Sequence, residues 1–310
     1  MTASFASNVI ALGLVVAALW GVSDFLGGLA TRKARAVPVV AVAHGLSLFV
    51  LVLVAIGIHA RVPSESAAIW GLVTGLSSGV AVIAFYAALA AGEMGLTSAL
   101  AGLLTAVIPV AFASVTEGSP KATQVAGFLL AAVAIWLLAY EPHGRPHARG
   151  LGLATLAGFG FGIFLVTSKF ASQGSVLWPL ALSRLASAGL AVSILIVMRV
   201  RGWLRAPRQA ISMPRARALA AKPPQAESSK LRSLPLAFIV AGIAGLLETC
   251  GNLLYMLATH AGRLDVAAVL SSLYPAGTIL LAMWVLRERV TGRKAAGIVL
   301  ALAAAMVISL

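Results

Sequence analysis

The stretch from Tyr255 to Gly297 reads YMLATHAGRLDVAAVLSSLYPAGTILLAMWVLRERVTGRKAAG. Moved back 170 positions without a gap, it lies on FYAALAAGEMGLTSALAGLLTAVIPVAFASVTEGSPKATQVAG, with Phe85 opposite Tyr255 and Gly127 opposite Gly297. Gly92 pairs with Gly262, Leu103 with Leu273 and Val115 with Val285. Several identities are Ala or Leu, which an apolar chain repeats by chance, so the order of features weighs more. Both stretches give an apolar helix, a short turn at Gly, a proline-containing apolar helix, a polar turn with Glu, and a last apolar helix opening near Gly. Internal symmetry of this kind is what two-repeat membrane transporters show.

The composition says what solvent those helices meet. Of 310 residues, 60% are hydrophobic and only 10% charged, and the mean hydropathy is +1.00. That balance describes an integral membrane protein. The net charge of +14 does not imply nucleic acid, because the arginines sit between apolar runs and not along an amphipathic face; anionic lipid headgroups are the expected partners of these basic loops. The one cysteine, Cys250, rules out an intramolecular disulfide. The first apolar run has no Lys or Arg before it and is too long for the core of a signal peptide, so it reads as a retained helix.

Crossing the hydrocarbon core takes roughly 20 apolar residues. By that ruler the chain divides into ten runs, at 8–31, 37–58, 67–91, 95–116, 121–140, 150–172, 176–198, 234–260, 264–286 and 292–310. None alternates in polarity as barrel strands do, and lipid requires every backbone donor and acceptor to be satisfied within the segment, so the runs are helices. The expected fold is an all-α integral membrane protein of ten transmembrane helices in two five-helix repeats, 8–140 and 150–310. Trp70 and Trp178 open helices, Trp284 closes one and Trp203 follows one, as suits an indole at the headgroups; Trp20 and Trp136 suit packing as well. Ser119 and Pro120 read as the cap and first residue of helix five.

Early in the repeats the offset is smaller: Trp20-Gly21 matches Phe159-Gly160 at 139, and His44 matches Arg184 at 140. The jump to 170 requires an insertion of about thirty residues, which falls at 201–233, a segment rich in Arg, Lys, Ala and Pro. A coreless loop, disordered or lying on the surface, is expected there.

Five helices per repeat is an odd number, so the second repeat enters the membrane from the opposite side and the repeats are inverted. The loops after helices 1, 5, 7 and 9 carry Arg32, Lys33, Arg35, Arg145, Arg149, the 199–232 cluster, Arg287, Arg289, Arg293 and Lys294; the other face holds Arg61, Lys121, Lys169 and Arg263. By the positive-inside rule the first set is cytoplasmic and both termini face outward.

Ionisable groups at membrane depth mark pathways or sites by default. Glu248 lies in the middle of helix 8, with Asn252 one turn and Tyr255 two turns on along the same face; buried there, its carboxyl is a candidate for the coupling proton or for a cationic group of the substrate, with Asn252 and Tyr255 as donors to it. The competing reading is a protonated interhelical hydrogen-bonding group. Asp24 in helix 1, before Gly27 and Gly28, is the second acidic candidate. His44 and Arg184 occupy matching places in helices 2 and 7; Arg184 binds a carboxylate, pairs with Asp24 or Glu248, or snorkels to headgroups. Ser271, Ser272, Tyr274 and Pro275 interrupt helix 9 as Thr105 and Pro109 interrupt helix 4, which points to a central site. Glu117 and Glu288 read as loop and cap residues. His143 and His147 have the spacing of a helical metal pair, but Gly144 and Pro146 break the helix it requires. No P-loop, GxSxG or HExxH is present, and no cofactor or metal is expected.

Leu19-Trp20-Gly21-Val22-Ser23-Asp24-Phe25, Leu270-Ser271-Ser272-Leu273-Tyr274-Pro275 and Arg287-Glu288-Arg289-Val290-Thr291 resemble the EamA-type transporters of the drug/metabolite transporter superfamily. In the first repeat Thr105 stands where the second has Pro275. The resemblance spans the chain and implies a ten-helix secondary carrier of amino acids, metabolites or drugs, often an exporter, with a central cavity. It also implies cytoplasmic termini, against which the charge count is kept. The expected function is therefore transport of a small polar or amphipathic metabolite by alternating access, outward and coupled to protons, in the plasma or inner membrane, by a monomer or homodimer. An uncoupled facilitator is the alternative; an integral-membrane enzyme would need a polar cluster that five His and nine acids do not readily supply.

Overall fold

A computed structural model describes residues 2–90, 94–139, 148–205, 225–285 and 292–308, and among them the chain is helical with no strand. The helices are α1 (Thr2–Thr31), α2 (Ala36–Gly57), α3 (Glu65–Ala90), α4 (Met94–Thr116), α5 (Ala122–Ala139), α6 (Ala148–Ala171), α7 (Leu177–Arg205), α8 (Gln225–Ala261), α9 (Leu264–Ser271), α10 (Tyr274–Val285) and α11 (Gly292–Ile308). Six of them (α1, α2, α3, α6, α7 and α8) hold a span long and apolar enough to cross a membrane, and α4, α5 and α11 hold shorter apolar runs. With α9 and α10 taken as one broken segment, these are the ten runs of the sequence.

The outer faces are as apolar as the core. Phe49, Leu53, Ile56, Leu236, Ile239 and Ile243 all stand exposed, which only a hydrocarbon solvent makes cheap. The protein is a multi-pass membrane protein.

The ninth run breaks as its residues dictate. Pro275 has no N–H to return to the helix before it, Ala276 N–H bonds Leu273 O at 2.9 Å in a tight turn, and the axis restarts at Tyr274. The matching interruption of helix 4 is not found: α4 runs unbroken through Pro109. Thr105, in the place of Pro275, keeps its N–H, and its hydroxyl donates to Ala101 O at 2.7 Å.

At its two ends the insertion at 201–233 is helical where a loop is expected. Residues 201–205 close α7 and 225–233 open α8; Ala226, Glu227, Lys230, Leu231 and Arg232 are good helix formers, and 206–224 lie outside the described residues. Helix five begins at Ala122, not at Ser119-Pro120; the Gln124 side chain accepts from Lys121 N–H at 2.9 Å, which is half of a capping box.

The most extensive packing is α3 on α6 and α1 on α8, followed by α5 on α11, α4 on α6, α3 on α7, α2 on α7, α2 on α8, and α1 on α9 and α10. Two glycines set the closest approaches. A Cβ on Gly75 would come 2.1 Å from Ser183 O, and one on Gly245 would come 2.3 Å from Ala43 O. Small residues let membrane helices touch backbone to backbone, so α3 rests on α7, and α8 on α2, immediately beside Arg184 and His44.

Candidate functional site

Because α8 meets α2 at Gly245, Glu248 arrives one turn later against His44. Its Oε2 stands 3.1 Å from His44 Nε2, and its Oε1 accepts from Arg184 Nη1 at 2.9 Å. Arg184 Nη1 is also 3.1 Å from His44 Nε2, and His44 Nδ1 lies 2.7 Å from Ser187 Oγ; a proton on Nε2 is donated to Glu248, whereas a proton on Nδ1 leaves Nε2 to accept from Arg184. Ser187 Oγ in turn donates to Arg184 O at 3.2 Å. Arg184 and His44 are fully buried. Arg184 therefore does not snorkel: its guanidinium ends at Glu248, in the bundle interior. Charge pairing of this kind is what allows an arginine inside a membrane bundle.

Glu248 forms one wall of a narrow cleft with about 30 Å³ of free space in this conformation, which Trp20, Asp24, Phe164, Asn252 and Tyr274 also line. Asp24 follows Trp20 by one helical turn, so one face of α1 brings both to the cleft. That face is pinned by Ser23 Oγ, which donates to Ala244 O at 2.8 Å. Trp20 Nε1 donates to Asn252 Oδ1 at 2.9 Å, while Asn252 Nδ2 is buried with no hydrogen-bond partner among the described residues. Around Trp20 the rings of Tyr255, Phe164 and Tyr274 lie at centroid distances of 5.7, 6.1 and 6.4 Å.

The expected donors to Glu248 are engaged otherwise. Tyr255 gives its hydroxyl to Leu165 O at 3.3 Å, and Asn252 is turned to Trp20. Of the serines at the break, Ser272 Oγ donates to Val269 O at 2.8 Å and borders a separate apolar hollow between α4, α5 and α9. Ser271 is buried without a partner for its hydroxyl among the described residues. The structure thus gathers Glu248, Arg184 and His44 in one cluster, sets Asp24, Asn252 and Tyr274 with Glu248 around the cleft, and leaves Tyr255, Ser271 and Ser272 outside its wall.

A second polar cluster ties the helix ends on one face. Glu117, after α4, accepts from Lys169 Nζ at the end of α6, and its Oε2 accepts from Leu264 N–H at 3.1 Å. That N–H opens α9, so a carboxylate from a distant turn caps this helix and meets its positive end. Arg263 donates to Glu117 O at 3.2 Å and Gly118 O at 2.9 Å, and also to Asp265 Oδ2 at 2.8 Å. The hydrogen bonds to Asp265 raise the Arg263 pKa further above its basic value, so the clasp keeps its cation. Lys169 and Arg263 carry no sequence signal for this role, since their common partner Glu117 lies 52 and 146 residues away. Ser187 and Trp20 were more legible, each standing one turn from a candidate residue. His143, His147, Glu288 and the 287–291 motif lie outside the described residues.

The model of the EamA-like transporter family matches residues 148–310. No curated protein matches the chain. Among solved structures, the crystal structure of a protein described no further than that superposes over 97% of this chain and 96% of its own, with a TM-score of 0.68 at 19% identity; that likeness is one of fold.

Proposed function

The chain belongs to the EamA-like transporter family, and from that premise we propose that it is a secondary carrier, moving a small amphipathic metabolite outward across the cell membrane by alternating access and in exchange for protons. The observation that carries this reading is the cleft deep in the bundle, walled by Trp20 and Asp24 from α1 and by Glu248 and Asn252 from α8.

Alternating access needs two halves that rock about a central site. The packing supports two inverted repeats, 8–140 and 150–310. If α1 to α5 are exchanged for α6, α7, α8, the α9–α10 pair and α11, then α1 on α8 becomes α6 on α3, and α3 on α7 becomes α8 on α2. The contact of α4 with α6 becomes that of α9 and α10 with α1, while α2 with α7 and α5 with α11 map onto themselves. The glycine contacts follow the same exchange: Gly75 and Gly245 differ by 170 positions and their partners Ala43 and Ser183 by 140, the two offsets of the sequence. The clasp of Glu117 with Lys169 and Arg263 joins the halves at the face opposite the basic loops, so it is the contact that opening on that side has to break.

Glu248 is not free for a cation of the cargo, because its two oxygens already face Arg184 and His44; that pairing favours the carboxylate, so Glu248 takes up the coupling proton as the pairing with Arg184 loosens. A proton arriving at His44 or Glu248 changes the charge balance of a buried three-residue cluster, which biases the packing of α2, α7 and α8. Flux in proteoliposomes with and without an imposed pH gradient tests the reading. A carrier coupled to protons responds to the gradient, an uncoupled facilitator only equilibrates its cargo, and an enzyme or scaffold gives no flux.

A further inference from the structure

We infer that the cargo of the cleft carries a positive charge beside an aromatic or aliphatic body, with Asp24 as its counter-ion and Asn252 Nδ2 as donor to an acceptor on the cargo. The inference rests on the carrier reading and adds the class of compound to it.

Two acids reach the cleft and they are not equivalent. Glu248 spends Oε1 on Arg184 and Oε2 on His44. Asp24, among the described residues, has no hydrogen bond or ion pair, and it shares the cleft with the second acid, Glu248. A carboxylate at this depth without a partner is expensive, so the occupant that lowers its energy most is a cation. The walls favour the same choice. Trp20, Phe164 and Tyr274 present aromatic rings to the cleft, and the negative faces of such rings attract an ammonium while their area takes up an apolar body.

An anion finds little in its favour. No Lys or Arg stands among the residues lining the cleft, and Arg184, fully buried behind Glu248, is not part of its wall. Two donors without a partner among the described residues line the cleft, the Tyr274 hydroxyl and Asn252 Nδ2; the Asn252 amide is 2% exposed and has only its oxygen engaged. A neutral acceptor such as an ether, ester or amide oxygen suits it; a carboxylate would sit near two acids. The resulting order is cation over neutral compound over zwitterion or anion.

Four compounds with one ring and one spacer length separate these classes: phenethylammonium, 2-phenylethanol, phenylalanine and phenylacetate. Their binding to the purified full-length protein in detergent is measured by calorimetry, and exchange of trimethyl(phenethyl)ammonium, which cannot shed its charge, is followed in proteoliposomes. Phenethylammonium is expected to bind at least about tenfold more tightly than 2-phenylethanol, roughly one favourable charge contact. Asp24→Asn should erase that preference, and Asp24→Glu should keep it. Binding of phenylacetate or phenylalanine as tight as that of phenethylammonium overturns the inference, as does an Asp24→Asn protein that still prefers the cation. If Asp24→Asn does not fold, the ranking on the wild type decides alone. Cation binding without any exchange keeps the Asp24 site and sinks the carrier reading, whereas flux of phenylacetate without cation binding does the reverse.

Discussion

Arg184 Nη1 and Glu248 Oε1 meet at 2.9 Å inside the bundle, joining α7 to α8 across 64 residues of chain. A buried pair of this kind is weak evidence for stability as it stands, because desolvation offsets most of the attraction, but removing one partner strands the other charge at a cost of about 3–5 kcal/mol. Arg184→Met is therefore expected to lower the thermal midpoint in detergent sharply, while Arg184→Met combined with Glu248→Gln recovers most of the loss. Equal midpoints for the single and double variants would mean that the two charges do not depend on each other.

Gly75 and Gly245 hold the helices that bring this cluster together. Gly75→Val should prevent stable folding, since its Cβ would press on Ser183 O at 2.1 Å, whereas Gly45→Ala, with nothing within 4 Å, should be tolerated. Size-exclusion profiles of the two variants check this; a monodisperse Gly75→Val protein would show that α3 and α7 are not in backbone contact.

The clasp at Glu117 predicts a change of accessibility. Ser78 also lines the cleft, so in a Cys250→Ala background Ser78→Cys reports which face is open. Adding Glu117→Ala removes the acceptor for Lys169 and for Leu264 N–H, and the reaction with a charged thiol reagent applied from the clasp face should quicken severalfold. An unchanged rate would make Glu117 a helix cap and no more.

The charge count places that face outside. A phosphatase fused after Leu310 should be active and a fluorescent protein at the same place dark; the opposite pair of results would put both termini and the clasp in the cytoplasm.

Much of this architecture was legible because lipid leaves few options. Apolar runs of membrane length can only be helices there, so their number and rough bounds follow, and the break at Tyr274-Pro275 follows from a missing N–H. Gly75 and Gly245 stand at the same 170-residue offset but lie before the aligned stretch, which begins at Phe85 and Tyr255, so their use alike came from the packing. The site was legible as a set of residue types and not as a set of contacts. Glu248, Asp24, His44 and Arg184 stand out as polar groups in apolar runs, but a period of 3.6 shows only which face each occupies, not which face of another helix it meets. Hence Arg184 could be read as snorkelling, and Tyr255 as a donor to Glu248, until α7 and α6 were in place. Glu117 was read from its turn alone, and its partners come from α6 and the start of α9.

Coupled flux through the cleft is measured most directly with trimethyl(phenethyl)ammonium in proteoliposomes containing the wild type or Glu248→Gln. The wild type should concentrate the probe when a pH gradient is imposed, and lose that power when a protonophore collapses the gradient. Glu248→Gln keeps the shape of the side chain but not its titration, so it should exchange the probe without concentrating it. Concentration by Glu248→Gln at the wild-type level would contradict the coupling role of Glu248. If neither the probe nor any of the four phenethyl compounds crossed faster than in protein-free liposomes, transport itself would be contradicted.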